Sequence, residues 1–285
     1  MSPVSIIVPA YNEEEGISTT LSDVRLAMSR QSMEHEIIVV DDGSTDGTVD
    51  AVQRQEGVRL VQHHTNRGYG AAIKTGIRQA RYDWIAIIDA DGTYPPEAMP
   101  GLLEKIDQCD MVVGARPSGD LPAARRPAKW LLARLAEYLA ETRIPDLNSG
   151  MRVFRKDLAL SYFGILPSAF SFTITITIAF LSDHYLVKFV PIPYQRREGR
   201  SKIKPVQDTL NFMQLILRTI MYFNPLRVLL PLSLLLFLAA VVIGAYSLVA
   251  EGRVMDITVL TLTVAALQIA VVAMIADMIQ KKSKL

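Results

Sequence analysis

Two aspartates separated by one residue, Asp89 and Asp91, follow an apolar run in the segment IAIIDADGTYPP at residues 85–96. Two carboxylates this close repel each other, so a cation is expected between them. Aspartate and glycine are also ordinary turn residues, and a solvated turn is the alternative interpretation of the same segment. The elements that position these aspartates decide between the two.

Short apolar runs alternate with helical segments through the first 115 residues. The runs VSIIVPA, HEIIVVDD, VRLVQH, DWIAIIDAD and CDMVVGAR predict strands, and helices are predicted over 13–30, 46–55, 70–81 and after Pro96. Strands separated by single helices indicate a parallel sheet with helices on both faces. Ligands of such sheets bind at the carboxyl ends of the strands. Chemistry is therefore expected after these strand ends: Ala10, Val40, His63, Ile88 and Gly114.

Carboxylates collect at those predicted strand ends: Asp41, Asp42, Asp89 and Asp91. Mg²⁺ or Mn²⁺ prefers oxygen ligands and often bridges one or two carboxylates to substrate phosphates. A metal-bound diphosphate at this edge suggests transfer from a nucleotide-activated donor, with the metal as a Lewis acid on the leaving group. The segment GYGAAIKTG is no dinucleotide-binding fingerprint, because Ile73 takes the place of its third glycine, and no P-loop motif occurs.

Bulk composition excludes several classes of protein. The net charge of +1 argues against a polyanion-binding protein, so no nucleic-acid partner is expected. A single cysteine, Cys109, excludes internal disulfides and zinc-site spacing. The four histidines show no metal-ligand spacing and are predicted to be structural.

Two uncharged apolar segments, 228–250 and 257–276, are each close to the ~20 residues that cross a bilayer as a helix. Five basic residues flank the pair on its outer ends: Arg218, Arg227, Lys281, Lys282 and Lys284. The connecting turn EGRVMD has only Arg253, so the positive-inside rule predicts that the catalytic domain and both termini are cytoplasmic. Residues 1–204 are predicted to form the catalytic domain, 205–227 an interfacial amphipathic helix and 277–285 a basic tail.

The segments SIIVPAYNEEEGI, IIVVDDGSTDGT, NRGYGAAIKTGIRQA and IDADGTYPP resemble successive signatures of inverting family-two glycosyltransferases with a GT-A fold. DLNSGMRVF and VPIPYQRREGRSKI are similar to motifs of the polyprenyl-phosphate branch, which includes dolichyl-phosphate mannose synthases and bacterial undecaprenyl-phosphate glucosyltransferases. The resemblance implies an α/β, Rossmann-like, mostly parallel sheet followed by a transmembrane hairpin in the inner membrane. It also implies metal-dependent transfer of a monosaccharide from a UDP-glucose or GDP-mannose type of donor to a polyprenyl phosphate, by a homotetramer.

The same resemblance assigns roles to individual residues. Those expected at the nucleotide-sugar donor are Pro9, Tyr11, Glu13, Asp41, Asp42, Gly68 and Lys74, with Asp42 at the base. Asp91 would be the main Mg²⁺ or Mn²⁺ ligand, and Asp89 would contact ribose or sugar and assist. Asp146 would be a carboxylate near the acceptor. Those expected to bind donor or lipid phosphate are Arg116, Arg196, Ser201 and Lys202.

This chain departs from the family pattern in two places. Several members carry glutamine where Thr93 stands, and many carry an acidic residue after the aromatic near Phe172, where this chain has SFTITITI. The latter segment alternates like a strand, whereas the resemblance implies a helix.

Two other functions compete with this prediction. A processive polysaccharide synthase would usually carry a Q-x-x-R-W motif and more membrane helices. A non-catalytic membrane adaptor with a decayed transferase domain would predict loss of the metal aspartates or of the basic segment RREGRSK at residues 196–202, and both are intact.

Overall fold

The computed structural model describes residues 2–31, 33–117, 134, 137–138, 142–169, 171–193, 221–222, 224–252 and 256–282. The chain divides into two compact units, Met1–Ile216 and Leu217–Leu285. The predicted phosphate-binding residues Arg196, Ser201 and Lys202 lie outside the described residues, as does almost all of the predicted interfacial helix.

The first unit is built on a seven-stranded sheet. Its strands are β1 Val4–Ala10, β2 His35–Asp41, β3 Val58–Gln62, β4 Trp84–Ile87, β5 Met111–Ala115, β6 Arg152–Arg155 and β7 Val187–Pro191. Their order across the sheet is β3-β2-β1-β4-β6-β5-β7. All pairs are parallel except those of β6, which runs antiparallel to both β4 and β5. The mostly parallel sheet predicted from the sequence is confirmed, and β6 and β7 are strands that the prediction did not contain.

Helices follow the strands in the order expected. They are α1 Ile17–Ser29, α2 Thr48–Gln53, α3 Tyr69–Gln79, α4 Met99–Leu103, α5 Lys156–Ser161 and α6 Phe172–Ser182. Short 3₁₀ turns cover Pro96–Ala98 and Ile106–Gln108. The helix predicted over 13–30 begins four residues late, because a turn at residues 14–16 precedes Ile17.

The core forms where apolar strands meet apolar helix faces. Every residue of β1 is buried, and so are five of the seven residues of β2. Such continuous burial requires helices on both sides of a strand. It explains the continuous apolar stretches at residues 6–8 of β1 and 37–40 of β2. Gly76 on α3 packs directly on Ile7 of β1, where a Cβ would overlap the isoleucine side chain.

Helix α6 contains the threonine–isoleucine alternation that would suit a strand. All residues from Phe172 to Leu181 are buried, so no polar face is needed. The hydroxyls of Thr175 and Thr177 donate to the carbonyls of Ser171 and Thr173, four residues earlier. This back-bonding satisfies the polar groups inside a helix, and surrounding contacts outweigh the strand propensity of β-branched residues. The helix implied by the family resemblance is therefore confirmed.

The second unit is a hairpin of two long helices, α7 Pro225–Glu251 and α8 Asp256–Lys282. Both are long and apolar enough to cross a membrane, over Pro225–Ala250 and Ile257–Gln280. They contact each other through small side chains, and the Ser233 hydroxyl donates to the Ala266 carbonyl at 2.8 Å. Gly252 ends α7 with a φ of 66°, a left-handed conformation that suits glycine. These two candidate spans indicate a membrane protein.

Candidate active site

Asp89 lies just beyond the carboxyl end of β4, in a crowded, half-buried position. Its Oδ1 accepts a hydrogen bond from the Tyr69 hydroxyl at 2.7 Å. Gly150 packs against the same carboxylate so closely that a Cβ there would overlap it. Burial raises the pKa of Asp89 to about 6; the Tyr69 hydrogen bond opposes this rise, and the nearby charge of Asp91 adds to it. Asp89 and Asp91 are therefore electrostatically coupled, as the sequence predicted.

Asp91 is oriented by its own turn. Its Oδ1 accepts from the Thr93 amide at 3.1 Å and from the Thr93 hydroxyl at 2.6 Å. Thr93 is buried and holds the carboxylate from one side. The residue that replaces the glutamine of other members thus serves to orient Asp91.

The two aspartates suit a divalent metal that also binds its substrate. Within the described residues, no group of three or more histidine, cysteine, aspartate or glutamate side chains is arranged to hold a metal. Mg²⁺ characteristically takes one or two carboxylates and completes its octahedral shell with water and substrate phosphates. A coupled pair of oxygen donors at a strand end fits that requirement. Asp91 and Asp89 are the residues that would hold the ion.

Asp42, predicted to contact the base, organises the loop that follows β3. Its Oδ1 lies 2.7 Å from Nδ1 of His63 and accepts from the Arg67 amide at 2.9 Å. Its Oδ2 accepts from the Gly68 amide at 2.8 Å, and Gly68 has a φ of 99°, which favours glycine. His63 also contacts the Thr75 hydroxyl at 2.9 Å, in line with the structural role predicted for it. The contact of Asp42 with a base stays a prediction.

The loops after β1 and β2 are joined to each other by side chains. The Asn12 Oδ1 accepts from the Thr45 amide at 2.8 Å, and the Glu14 carboxylate accepts from the Gly47 amide at 2.5 Å. Asp46 accepts from the Thr48 amide at 3.0 Å, just before α2 begins.

The remaining predicted donor residues lie on or beside these loops. Pro9 is buried in β1, Tyr11 is exposed just beyond the strand, and the Glu13 amide donates to the Thr48 hydroxyl at 2.9 Å. Asp41 is buried at the end of β2 and accepts from the Ser44 amide at 3.3 Å. The structure therefore brings the predicted donor residues of the first two strand ends together, and their contact with a nucleotide stays a prediction.

Lys74 lies on α3 and is held by the segment before α6. Its Nζ donates to the carbonyl oxygens of Phe163, at 3.2 Å, and of Leu166. It also lies 5.8 Å from the centre of the Phe163 ring. Burial, and then the charge of Arg78, lower the pKa of Lys74. A donor contact by Lys74 would have to share an amine that already serves two backbone carbonyls.

Arg116 and Asp146 form a bidentate pair. Nε and Nη2 of Arg116 donate to Oδ2 and Oδ1 of Asp146 at 2.7 and 2.9 Å, and the Arg116 amide donates to Oδ2 at 3.1 Å. Burial alone would raise the pKa of Asp146, but these hydrogen bonds and the guanidinium charge outweigh it and lower the pKa. The guanidinium also lies 6.0 Å from the centre of the Tyr94 ring. Two residues predicted from separate motifs thus form one unit.

Arg152, the first residue of β6, was not predicted as part of the site. Its side chain is completely buried and donates to the Ser149 carbonyl, the Thr173 carbonyl and the Thr177 hydroxyl. It lies close enough to Asp89 to lower the pKa of that carboxyl. The available signal was a single arginine inside the buried stretch MRVF, where a charge needs partners.

The first unit has an α/β fold with a mostly parallel sheet, and comparison with known proteins assigns the family. Residues 5–163 match the model of glycosyl transferase family 2, and residues 224–281 match that of the GtrB C-terminal hairpin. The chain belongs to glycosyl transferase family 2. The family resemblance found in the sequence is confirmed.

The matches to two relatives cover most of the length of each relative. One is the undecaprenyl-phosphate mannosyltransferase of Micrococcus luteus, 31% identical over 215 residues that cover 70% of this chain and 87% of the relative. Another is the dolichyl-phosphate hexose transferase of Haloferax volcanii, 30% identical over 207 residues, 71% of this chain and 87% of the relative.

A solved structure with the same fold is glucosyl-3-phosphoglycerate synthase from Mycobacterium tuberculosis, in complex with Mn²⁺, UDP-glucose and phosphoglyceric acid. It aligns with a TM-score of 0.62 over 77% of this chain and 80% of its own, at 20% identity. The α/β GT-A-like fold predicted from the sequence is thereby confirmed.

Proposed function

We propose that this protein transfers a hexose from a nucleotide sugar to the phosphate of a polyprenyl phosphate, with inversion at the anomeric carbon. The proposal rests on loop 146–150, defined as Asp146–Gly150, which contacts both the predicted acceptor residues and the predicted donor residues. Asp146 at one end holds Arg116, and Gly150 at the other packs on Asp89. The loop thus joins an arginine suited to an acceptor phosphate with a carboxylate suited to a donor metal.

The donor half is assigned to the edge formed by β1, β2 and β4. Asp91, assisted by Asp89, would hold Mg²⁺ or Mn²⁺, which would supply Lewis acidity to the departing diphosphate. Pro9, Tyr11, Glu13 and the loop after β2 would surround the nucleotide. The fold relative from M. tuberculosis supports the choice of a nucleotide and a divalent metal as ligands, since its structures contain UDP-glucose with Mn²⁺ and UDP with Mg²⁺.

The acceptor half needs no strong base. A phosphate monoester is already ionised near neutral pH, so one of its oxygens can attack the anomeric carbon directly. A new carbon–oxygen bond forms on one face while the bond to the nucleotide diphosphate breaks on the other. The difficulty is to bring two anions together, and arginine holds a phosphate through paired hydrogen bonds. Arg116 supplies this in the described part of the chain, and Arg196, Ser201 and Lys202 would complete it.

The two relatives support a polyprenyl phosphate as the acceptor, since one is an undecaprenyl-phosphate mannosyltransferase and the other a dolichyl-phosphate hexose transferase. The donor belongs to the UDP-glucose or GDP-mannose type. The candidate membrane spans support a lipid acceptor, and the basic residues around them support an orientation in which the first unit and both termini face the cytoplasm.

A homo-oligomer is part of the same proposal. Gln268 lies near the middle of α8 and is exposed on the hairpin surface. A side-chain amide within hydrocarbon needs a hydrogen-bond partner. A second copy of the chain presents the same group, and an amide both donates and accepts.

The test is lipid labelling by protein purified in detergent. Radiolabelled UDP-glucose and GDP-mannose are each supplied with undecaprenyl phosphate and Mg²⁺ or Mn²⁺, and the lipid fraction is counted. Label should enter lipid from one donor, and both a chelator and Asp91→Asn should abolish the transfer. Asp50→Asn on the exposed face of α2 is the matched control and should be fully active. If neither donor labels the lipid fraction, the proposal is overturned.

A further inference from the structure

A buried guanidinium lies behind loop 146–150. Arg152 is in register with Ile87 at the end of β4, and none of its surface is exposed. Nε and Nη2 both donate to the Ser149 carbonyl, the former at 3.1 Å. Nη1 donates to the Thr173 carbonyl and to the Thr177 hydroxyl, each at 2.9 Å. A buried charge is costly to desolvate and is tolerated only when its hydrogen bonds are well made.

The carbonyl that Arg152 holds is central to the loop. Ser149 is fully buried and precedes Gly150, which packs on the Asp89 carboxylate. Three residues before Ser149 is Asp146, the partner of Arg116. A shift of the Ser149 carbonyl would therefore move both the carboxylate that orients Arg116 and the backbone that packs on Asp89.

The other end of the network is a rigid support. Thr173 and Thr177 lie on α6, whose residues 172–181 are all buried. The Thr173 hydroxyl also donates to Oδ1 of Asn148 at 2.9 Å, which ties the loop to the helix a second time. Arg152 thus joins loop 146–150 to a helix that has no exposed face.

We propose that Arg152, braced by Thr177, is a positioning residue that sets the geometry of the Arg116–Asp146 pair toward the acceptor phosphate. This inference rests on the proposed function, because it assigns that pair to the acceptor. Arg152 acts only through loop 146–150 and contacts no substrate. Donor binding depends mainly on the loops after β1 and β2, and Asp89 is the donor residue on which loop 146–150 packs. A variant of this network is therefore expected to change donor binding less than acceptor use.

The chain offers a matched pair of variants on α6. Thr177→Val and Thr175→Val each replace a buried threonine by a residue of nearly the same shape. Each also removes one hydroxyl bond to the carbonyl four residues earlier. Only the hydroxyl of Thr177 contacts Arg152. Any difference between the two variants therefore reports the contact with Arg152.

For each full-length variant, kcat and KM are measured for undecaprenyl phosphate at saturating donor. The donor Kd is measured without acceptor, and Tm by thermal unfolding. Thr177→Val should lower kcat/KM for the acceptor about fivefold relative to Thr175→Val, because small misplacements of reacting groups are costly. The donor Kd should change less than the acceptor kcat/KM, by no more than about twofold, because the lost contact joins Arg152 to α6 and does not lie on the loops after β1 and β2.

Arg152→Lys provides a second measurement. It keeps the charge but replaces the planar fork by a single ammonium group, which cannot span the Ser149 carbonyl and α6 in the same way. Its acceptor kcat/KM should fall about tenfold or more, again with a smaller change in donor Kd.

Equal acceptor kinetics for Thr177→Val and Thr175→Val would overturn the inference, even if Thr177→Val had the lower Tm, because the contact would then be purely structural. Equal losses in donor binding and acceptor use would also overturn it. If the unmodified protein transfers sugar to the lipid and the variants do not differ, only this inference fails. If the unmodified protein transfers none, the proposed function fails as well.

Discussion

Replacing Gly150 by alanine tests how tightly loop 146–150 fits the site. A Cβ at this position would overlap both carboxylate oxygens of Asp89. The carboxylate cannot simply rotate away, because its Oδ1 is held by Tyr69 at 2.7 Å and the position is half-buried. Either the Asp89 side chain or the loop must therefore move.

The magnitude follows from the two ways of relieving this overlap. Overpacking a filled position costs about 1–3 kcal/mol of unfolding free energy. Breaking a hydrogen bond to a charged group costs about 1.5–3 kcal/mol. The smaller cost sets the outcome, so Gly150→Ala should destabilise the first unit by about 1–3 kcal/mol. For a unit of this size, each kcal/mol corresponds to a Tm lower by about 2–4 °C.

The effect on activity should be larger than the effect on stability. Displacing Asp89 or loop 146–150 by about 1 Å can lower the rate of sugar transfer about 100-fold. The assay is lipid labelling under saturating donor and metal, together with thermal unfolding. Gly101→Ala is the control, because a Cβ there meets nothing within 4 Å and the residue lies inside α4. A Gly150→Ala protein with both kcat and Tm equal to those of Gly101→Ala would refute the packing argument.

Three further predictions concern other parts of the chain. Burial alone would raise the pKa of Asp146, but the hydrogen bonds and charge of Arg116 hold it below the ordinary value of 3.8. The pair therefore adds to the free energy of unfolding fully above pH 3.8, and this contribution is lost as the pH falls through the lower pKa of Asp146 in the folded protein. The Tm difference between the unmodified protein and Asp146→Asn should thus be constant from pH 5 to 7 and shrink below pH 3.8; a constant difference throughout would contradict this. Lys74→Met should leave two backbone carbonyls unpaired and cost about 1–3 kcal/mol by thermal unfolding, whereas an unchanged Tm with lost donor binding would make Lys74 a donor ligand instead. Gln268→Leu should lower the oligomer mass measured by light scattering in detergent, with Leu267→Ala, also exposed on α8, as the control that leaves the mass unchanged.

The first five strands were predictable from the sequence because each is rich in apolar residues, lies next to predicted helices and has polar residues at or soon after its carboxyl end. The position of Asp89 and Asp91 at a strand end could be predicted from this pattern, and their role as metal ligands stays a prediction. The strands β6 and β7 could not be predicted in this way. Arg152 interrupts the apolar pattern of β6, which has only four residues. In β7 no residue is fully buried; β3 has the same burial pattern, but it lies between two predicted helices, and this position indicated a strand.

Contacts between distant segments were also beyond local patterns. Tyr69 and Asp89 are separated by 20 residues, and Arg116 and Asp146 by 30. Nothing in either motif states that one side chain will pair with the other. The alternation in α6 favoured a strand because local propensity contains no information on burial from every side, and that burial decides the outcome.

The direction of β6 determines when the site can be completed. Because β6 runs antiparallel, its first residue lies at the carboxyl ends of its neighbours, which places loop 146–150 beside Asp89. The same strand fills the space between β4 and β5, although it follows β5 in the chain by more than 35 residues. A growing chain that has produced only β1–β5 can therefore pair four strands, β3-β2-β1-β4, while β5 still lacks its neighbours β6 and β7. Since pairing between segments so distant in sequence is slow, we expect the loops after β1, β2 and β4 to form before loop 146–150 reaches Asp89.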